Sequence, residues 1–406
     1  MQNLNEKDVR AVTHPYTNPT PGEIPVVCIT PFNEITGPTA TDAQTVVDCG
    51  FNIVAITQDG NAKTAINLAT QKGLKSILAR NKNVSDPKNF VDLVEEYKTD
   101  SNIPVLNIYD EPSYSQLQDT GSNGLRTLFD NVIRIAPNKM AYFNLSSTVP
   151  AGMSRSTYLN NINSLYYPFL WSFDFYPIST LGFTLVNQWD FLYELLIDFS
   201  NIAQSTGKPF WYILCCTQYT GANYSRPLPT KAMLTYQAFA ALAMGAQGIG
   251  FWHYNNRPSN GTETYQRSPI TNGVKTEIWD SVQSVIREIR RYQTVFLGCN
   301  FNGFTTYGLN LPNENQRIIL GPISSISYAS GQGALVTSLS NNGYNYIVFV
   351  NIDPFAAQTM QITYDSNYAS KYQVMEMTPN FAIDPIVMNK RTLNLEAGGF
   401  GIIRWR

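Results

Sequence analysis

The chain has 406 residues, 43% of them hydrophobic, and a net charge of −2, which allows more than one ordinary domain and excludes a disordered polypeptide. No basic block is present, which argues against nucleic acid and against an anionic membrane surface as partners. Charged residues make up only 14%, and Asn, Thr, Ser and Tyr carry the polar surface instead, a balance that leans towards an exported protein handling neutral, hydroxyl-rich ligands.

Short apolar runs alternate with helical patterns along most of the chain. The first strand is predicted at Val26–Thr30, followed by a helix near Asp42–Cys49 that Gly50 closes. The second strand, Asn52–Thr57, leads to a helix over Ala62–Lys72 capped by Gly73. The third, Lys75–Ala79, precedes a helix that starts at Ser85-Asp86-Pro87 and runs to about Lys98. The fourth strand is the apolar run from Pro104 that ends in Asp110 and Glu111 and is stopped by Pro112. Leu125, Leu128, Phe129, Val132 and Ile133 form the stripe of the next helix.

The fifth strand is Met140–Leu145 and its helix Ser154–Leu165. The sixth is Leu170–Tyr176, stopped by Pro177, with an amphipathic helix at Trp189–Ser205. The seventh is read as Phe210–Gln218, then an Ala-rich helix over Pro229–Met244. The eighth is Gly248–Tyr254, and Glu277–Tyr292 closes the series. Eight strand–helix units predict an α/β fold, a (β/α)₈ TIM barrel over residues 20–295. An open doubly wound sheet is the alternative, but no strand is followed by GxGxxG.

Beyond Phe296 the pattern becomes all-β. Strands are predicted at Ala334–Leu339, Tyr346–Asn351, Thr359–Thr363 and Gly401–Trp405, with turn signals at Asn341-Asn-Gly343 and Asp353-Pro354. This predicts a small β-sandwich domain over residues 296–406.

The five cysteines, Cys28, Cys49, Cys215, Cys216 and Cys299, are odd in number and lack CxxC spacing, so neither a disulfide framework nor a zinc motif is expected. The two histidines, His14 and His253, exclude a His-rich metal site, and no cofactor is expected. No apolar run of membrane-spanning length exists, so no membrane span is expected. Residues Met1–Lys7 lack an apolar leader core. The expectation is a periplasmic or extracellular protein whose signal peptide has been removed, with a cytoplasmic protein as the alternative. The oligomeric state is not legible.

In such barrels chemistry sits at the C-terminal ends of the strands. Those ends carry Thr30, Gln58-Asp59, Arg80-Asn81, Asp110-Glu111, Asn144, Asp174 with Tyr176, Gln218 and Trp252-His253-Tyr254. A buried strand has no packing reason to finish in paired acids, whereas acid/base chemistry needs a carboxylate on a rigid element. The rim is polar, aromatic and mildly acidic, which suits sugar rings and hydroxyls better than phosphate.

The Asp110-Glu111-Pro112 end of strand four resembles the Asn-Glu-Pro of clan A glycoside hydrolases, the β-galactosidase and β-glucanase-like enzymes. The stretch Gly245–Trp252 and the barrel-plus-sandwich plan resemble glycosidase-like proteins of gut bacteria. The resemblance implies that Glu111 is the acid/base, that Tyr176 is the polar aromatic after strand six, and that Trp252 is the sugar platform. It also implies a Glu nucleophile after strand seven, where this chain has Gln218, and an Asn before the acid/base, where it has Asp110.

Three readings follow. The first is a glycoside hydrolase acting on carbohydrate, with Glu111 and Asp174 as the catalytic pair. The ends of strands four and six would stand about 8 Å or more apart, which suits inversion with water between the carboxylates. Asp59 and Glu263 are lesser candidates for the second acid, and Glu263 lies in the long loop Asn255–Thr276 that could fold over the mouth. Gln58, Asp110, Asn144, Tyr176, Gln218, Trp252, His253 and Tyr254 are candidate substrate contacts. The second reading is a non-catalytic carbohydrate-binding barrel that has lost its strand-seven nucleophile. The third is a hydrolase using Cys215 or Cys216 with His253 as base.

Overall fold

The structure, a computed structural model, describes residues 16–34, 36–84, 87–181, 184–259, 261–307, 320–365, 375–377, 383–385 and 390–406. His14, residues 1–7 and the Ser85-Asp86 helix signal lie outside the described residues.

Strand β1 (Val26–Ile29) leads to α1 (Ala40–Cys49), β2 (Ile53–Thr57) to α2 (Ala62–Gln71), and β3 (Lys75–Ala79) to α3 (Lys88–Glu96). Strand β4 (Val105–Asp110) is followed by a short α4 (Tyr114–Gln118) and by α5 (Leu125–Ile135). Then come β5 (Met140–Leu145), α6 (Arg155–Tyr166) and β6 (Trp171–Asp174). A hairpin that the sequence pattern did not reveal, β7 (Ile178–Leu181) and β8 (Thr184–Asn187), precedes α7 (Trp189–Thr206). Next are β9 (Phe210–Cys215), β10 (Gln218–Thr220), β11 (Ser225–Arg226), α8 (Lys231–Ala243) and β12 (Gly248–Trp252). Strands β13 (Thr264–Arg267), β14 (Ile270–Thr271) and β15 (Val274–Lys275) precede α9 (Glu277–Phe296).

The parallel strands close into a barrel in the order β1-β12-β9-β6-β5-β4-β3-β2. Alternation along each strand sorts side chains between helix layer and barrel axis. Phe143 of β5 packs against Phe129 of α5 at 5.3 Å and Tyr166 of α6 at 4.8 Å, and Phe173 of β6 against Phe199 of α7 at 4.2 Å. Their neighbours Asn144, Ser172 and Asp174 therefore face the axis.

Strand β12 begins Gly-Ile-Gly for a steric reason. Gly248 and Gly250 pair with Trp211 and Ile213 of β9. A Cβ on Gly248 would come within 2.7 Å of the Trp211 ring, and one on Gly250 within 2.9 Å of Ile213. The two glycines give the barrel interior to larger side chains of the neighbouring strand.

The antiparallel part starts with β16 (Asn300–Tyr307), β17 (Ile323–Ser330), β18 (Ala334–Asn341), β19 (Tyr344–Asn351) and β20 (Gln358–Tyr364). It ends with β21 (Met375–Met377), β22 (Ile383–Pro385), β23 (Lys390–Leu395) and β24 (Phe400–Trp405). One sheet has the order β16-β18-β19-β24-β21-β22 and a second the order β17-β20-β23. Asn342 and Gly343, both at positive φ (49° and 77°), make the two-residue turn between β18 and β19 that the Asn-Gly signal predicts. Val336, Ile347, Phe349 and Ile403 share a core with Met360, Ile362, Leu393 and Leu395 of the smaller sheet. Leu335, Leu339, Val348 and Ile402 join the barrel core instead. Phe400 stacks on Phe239 of α8 at 3.7 Å. Both faces of β18 and β19 are thus buried, which is why they read as unbroken apolar runs.

Among the described residues no helix is long and apolar enough to cross a membrane. The close fit at Gly248 makes a direct prediction. Gly248→Ala should lower stability by about 1–3 kcal/mol through overpacking against Trp211, measured by denaturant unfolding.

Candidate active site

The fourth strand carries a register slip against β5 between Asn107 and Tyr109. Asn107 pairs with Tyr142, and after the slip Tyr109 pairs with Phe143 and Asp110 with Asn144. The extra residue turns Asp110 to the barrel axis beside Asn144. Tyr109 turns the other way, where the Arg80 guanidinium lies 5.2 Å from its ring. Glu111 follows at φ 53°, left-handed for a non-glycine residue, a conformation that costs roughly 1–2 kcal/mol. Its N–H donates to Asn144 O at 2.8 Å, which fixes the turn at the strand end.

Asn144 is almost fully buried, and its amide is committed to the protein. Nδ2 donates to Asp110 Oδ1 at 3.1 Å and to Asp174 Oδ1 at 2.7 Å. Oδ1 accepts from the Ser172 hydroxyl at 2.8 Å. Lys82, two residues after the Arg80 strand end, reaches Asp110 Oδ2 with Nζ at 2.8 Å. Asp110 thus bridges a lysine and an amide, while Glu111 is exposed.

The clustered acids shape one another's titration. Burial, then the charges of Glu111 and Asp110, push the Asp174 carboxyl up to about 7, against hydrogen bonds from Asn144 and Tyr176. Partial desolvation, then Asp110 and Glu263, also raise Glu111, and Lys82 opposes them. Burial works against the Lys82 ammonium, but Asp110, Glu111 and Asp174 outweigh it and hold its pKa above the usual value.

The opposite side of the mouth is aromatic. Loops after the sixth, seventh and eighth barrel strands join in one antiparallel sheet, ordered β13-β10-β11-β7-β8. The long loop after β12 therefore pairs with the segment after β9. This sheet gathers Tyr219, Tyr224 and Tyr265 around Tyr176, Cys215 and Trp252. Tyr176 stacks on Trp252 with centroids 5.1 Å apart at 15°, so one face of the expected platform is already covered. Arg226 donates to Tyr176 O and Ile178 O, and its guanidinium lies 5.2 Å from the Tyr224 ring. Glu263 accepts from Tyr224 at 3.4 Å and from Tyr265 at 2.5 Å.

The structure brings Asp110, Glu111, Asn144, Asp174, Tyr176, Trp252 and Glu263 to the mouth. Asn144 spends both N–H groups on carboxylates, so the amide acts on the acids and not as a donor to sugar. Gln58 is buried at the end of β2, and its N–H donates to Ala79 O. Asp59 accepts from Asn61 N–H at 2.7 Å and closes a local turn before α2.

Three expectations are corrected. Strand seven ends at Cys215, not at Gln218, because Gln218 already pairs with Arg267 of β13. The position beside Trp252 is held by Cys215, whose Sγ lies 3.3 Å from Thr217 O. Tyr254 is not at the mouth. It is fully buried in the helix layer, donating to Thr45 O at 2.9 Å and accepting from Trp279 Nε1 at 2.8 Å. The thiol–imidazole reading also fails. Burial pushes the Cys215 thiol up to about 11 and holds the buried His253 near 3, so neither a thiolate nor an effective base is present at neutral pH. Cys216 is fully buried, and its thiol is likewise pushed up by burial.

Sequence reading missed Lys82, Ser172, Arg226 and the Tyr219–Tyr265 wall. Lys82 could have been found by counting past Arg80, since short loops keep such residues at the rim. Ser172 has no local signal, because its role depends on the register of β5 and β6.

The closed eight-stranded parallel barrel and the antiparallel sheets that follow it have a counterpart among solved structures. The chain is similar to a catalytic mutant of a GH42 β-galactosidase from G. stearothermophilus, at 9% identity and a TM-score of 0.60, over 97% of this chain and 100% of the other. It is also similar to the endo-β-1,4-mannanase from Thermotoga petrophila, at 10% identity and a TM-score of 0.46, over 92% and 98% of the two chains. A third likeness is to the α-fucosidase from Thermotoga maritima, at 8% identity and a TM-score of 0.46, over 90% and 78%. At 9% identity the likeness to the β-galactosidase establishes the fold alone. No protein-family model and no curated protein matches the chain.

Two predictions follow from the charge cluster. Lys82→Met should raise the Glu111 titration midpoint, read by carboxyl NMR, because a cation that lowers it is gone. The half-exposed Lys82–Asp110 pair is worth only about 0–1 kcal/mol, so the melting temperature should barely move. The second concerns Asp174, whose folded pKa of about 7 stands above its ordinary 3.8. A raised carboxyl contributes stability that is complete below the unfolded pKa and is lost as pH rises through the folded one. Unfolding free energy should therefore fall between about pH 4 and 7, and Asp174→Asn should flatten that slope in chemical denaturation.

Proposed function

We propose that this protein hydrolyses glycosidic bonds in a neutral oligo- or polysaccharide, with Glu111 as general acid/base and Asp174 as its partner carboxylate. The observation that carries this reading is the meeting of Glu111 and Asp174 in one field at the barrel mouth, both carboxyls displaced upwards. Acid/base catalysis wants a group that titrates near the working pH, and Asp174 does so at about 7. Tyr176 and Trp252, stacked on each other and only partly buried, leave their remaining aromatic surface for a sugar ring. The low surface charge fits a role in polysaccharide degradation outside the cytoplasm.

Asp174 is the member whose carboxyl burial pushes up to about 7, so it is the one that holds a proton as pH falls below neutrality. Glu111 is the exposed member and the one with free access to substrate. Cys215 at the end of the seventh strand offers a protonated thiol in place of a carboxylate nucleophile. Water activated by one member of the pair is then the nucleophile, and the other member protonates the leaving oxygen.

The test is hydrolysis of a panel of neutral glycans. Glu111→Gln should lower turnover by at least about 100-fold with unchanged circular dichroism. Wild-type turnover should fall as pH rises through about 7, because the Asp174 proton is then lost. Full activity of Glu111→Gln would sink the assignment. Glycan binding without turnover in the wild type would instead support the carbohydrate-binding barrel.

A further inference from the structure

We propose that Ser172 and Asn144 are a positioning pair that fixes how the site's proton is divided between Asp174 and its neighbouring acids. This deepens the acid/base reading above and rests on it for its catalytic meaning.

The geometry forms a row across three strands. Asp110 of β4 pairs with Asn144 of β5, and Asn144 pairs with Ser172 of β6. Asp174 lies two residues further along β6, on the same face. Ser172 is 1% exposed and Asn144 is 3% exposed, so both bonds are shielded from water.

An asparagine amide has two orientations of nearly equal shape. In one, both N–H groups meet the acids. In the other, the carbonyl oxygen faces two carboxylates and repels them. A hydroxyl donating to Asn144 Oδ1 favours the first orientation and polarises the N–H groups towards Asp110 and Asp174. A buried alanine would fill nearly the same space as Ser172 without choosing an orientation. The hydroxyl acts on Asp174 through another side chain, and this makes Ser172 a positioning residue.

The groups facing Asp174 are few. Asp110 and Glu111 come from the end of β4, and Lys82 from beyond β3. Tyr176 lies two residues past the end of β6, and Cys215 and Tyr212 come from β9. Lys82 is the cation among them, and its ammonium is bonded to Asp110. Asn144 and Tyr176 are neutral donors to Asp174, and Asn144 reaches both aspartates at once and so offsets their repulsion.

The experiment is carboxyl NMR titration of the full chain labelled with ¹³C-aspartate. Wild type is compared with Ser172→Ala and Ser172→Thr, and Asp174→Asn identifies the resonance. In Ser172→Ala the Asp174 midpoint should rise by about one unit from its wild-type position near 7, and Thr should restore it. Asn144→Ser removes the donor itself and should raise the midpoint at least as far. It carries the same comparison if Ser172→Ala does not fold. An unchanged midpoint in a folded variant would overturn the proposal and leave Ser172 as packing. The titration reads the pair whether or not any glycan is cleaved, so failure of the hydrolase reading is distinguishable from failure of this one. If hydrolysis is found, the upper limb of the pH–rate profile should move by the same amount.

Discussion

Between Asn107 and Tyr109 the fourth barrel strand gains one residue against its neighbour, and the whole mouth is arranged around that slip. Without it, strict alternation from Asn107 would send Asp110 towards the helices. A carboxylate there would meet an apolar layer built of residues such as Phe129 and Phe143, with no donor to pay for its desolvation. With the slip, the carboxylate meets Asn144 and Lys82. The backbone irregularity is thus the device that makes a charged strand end compatible with a buried strand. The left-handed Glu111 completes it by turning the next carboxyl outward while its N–H stays tied to β5.

Charge is handled differently on the two sides of the mouth. On the side of β4, β5 and β6, acids lie close enough to disturb one another, and one buried amide stands between two of them. On the side of β9 and β12, charge is tied into hydrogen bonds with the protein. Arg226 is turned to backbone carbonyls, Glu263 is held by two tyrosine hydroxyls, and the axis carries Cys215 and Trp252. A ligand in this mouth would meet carboxyls on one flank and aromatic faces on the other. That division is the basis on which a sugar ring, apolar on its faces and hydroxylated on its edge, is proposed as the ligand.

The sequence made the barrel legible because each strand–helix unit repeats a period-2 run and a 3.6-period stripe, punctuated by caps such as Gly50. It made Asp110-Glu111 legible because paired acids contradict the burial of the run before them. It did not show the sheet formed by β7, β8, β10, β11 and β13. Those segments are short and polar, and their pairing is set by long-range register. The same limit placed Gln218 on the seventh strand, since the apolar run gives no sign that the chain leaves the barrel at Cys215 and starts a new sheet. Tyr254 was misplaced for a related reason. Alternation past the strand end cannot be extrapolated, and the ring instead fills the helix layer against Phe51, at 5.3 Å, and Trp279.

The seventh strand is where chain and chemistry constrain each other most tightly. Its axis-facing residues are Trp211, Ile213 and Cys215, and the first two occupy the space that Gly248 and Gly250 vacate. A carboxylate at the third position would stand against the Tyr176–Trp252 stack and add a further negative charge to a mouth already crowded with acids. Asp174 titrates near 7 because like charges and burial oppose its ionisation, and each added acid would push it higher. The thiol at Cys215 keeps that position neutral and small. The proton inventory of the mouth then rests on the acids of β4 and β6, where Asn144 can reach two of them at once.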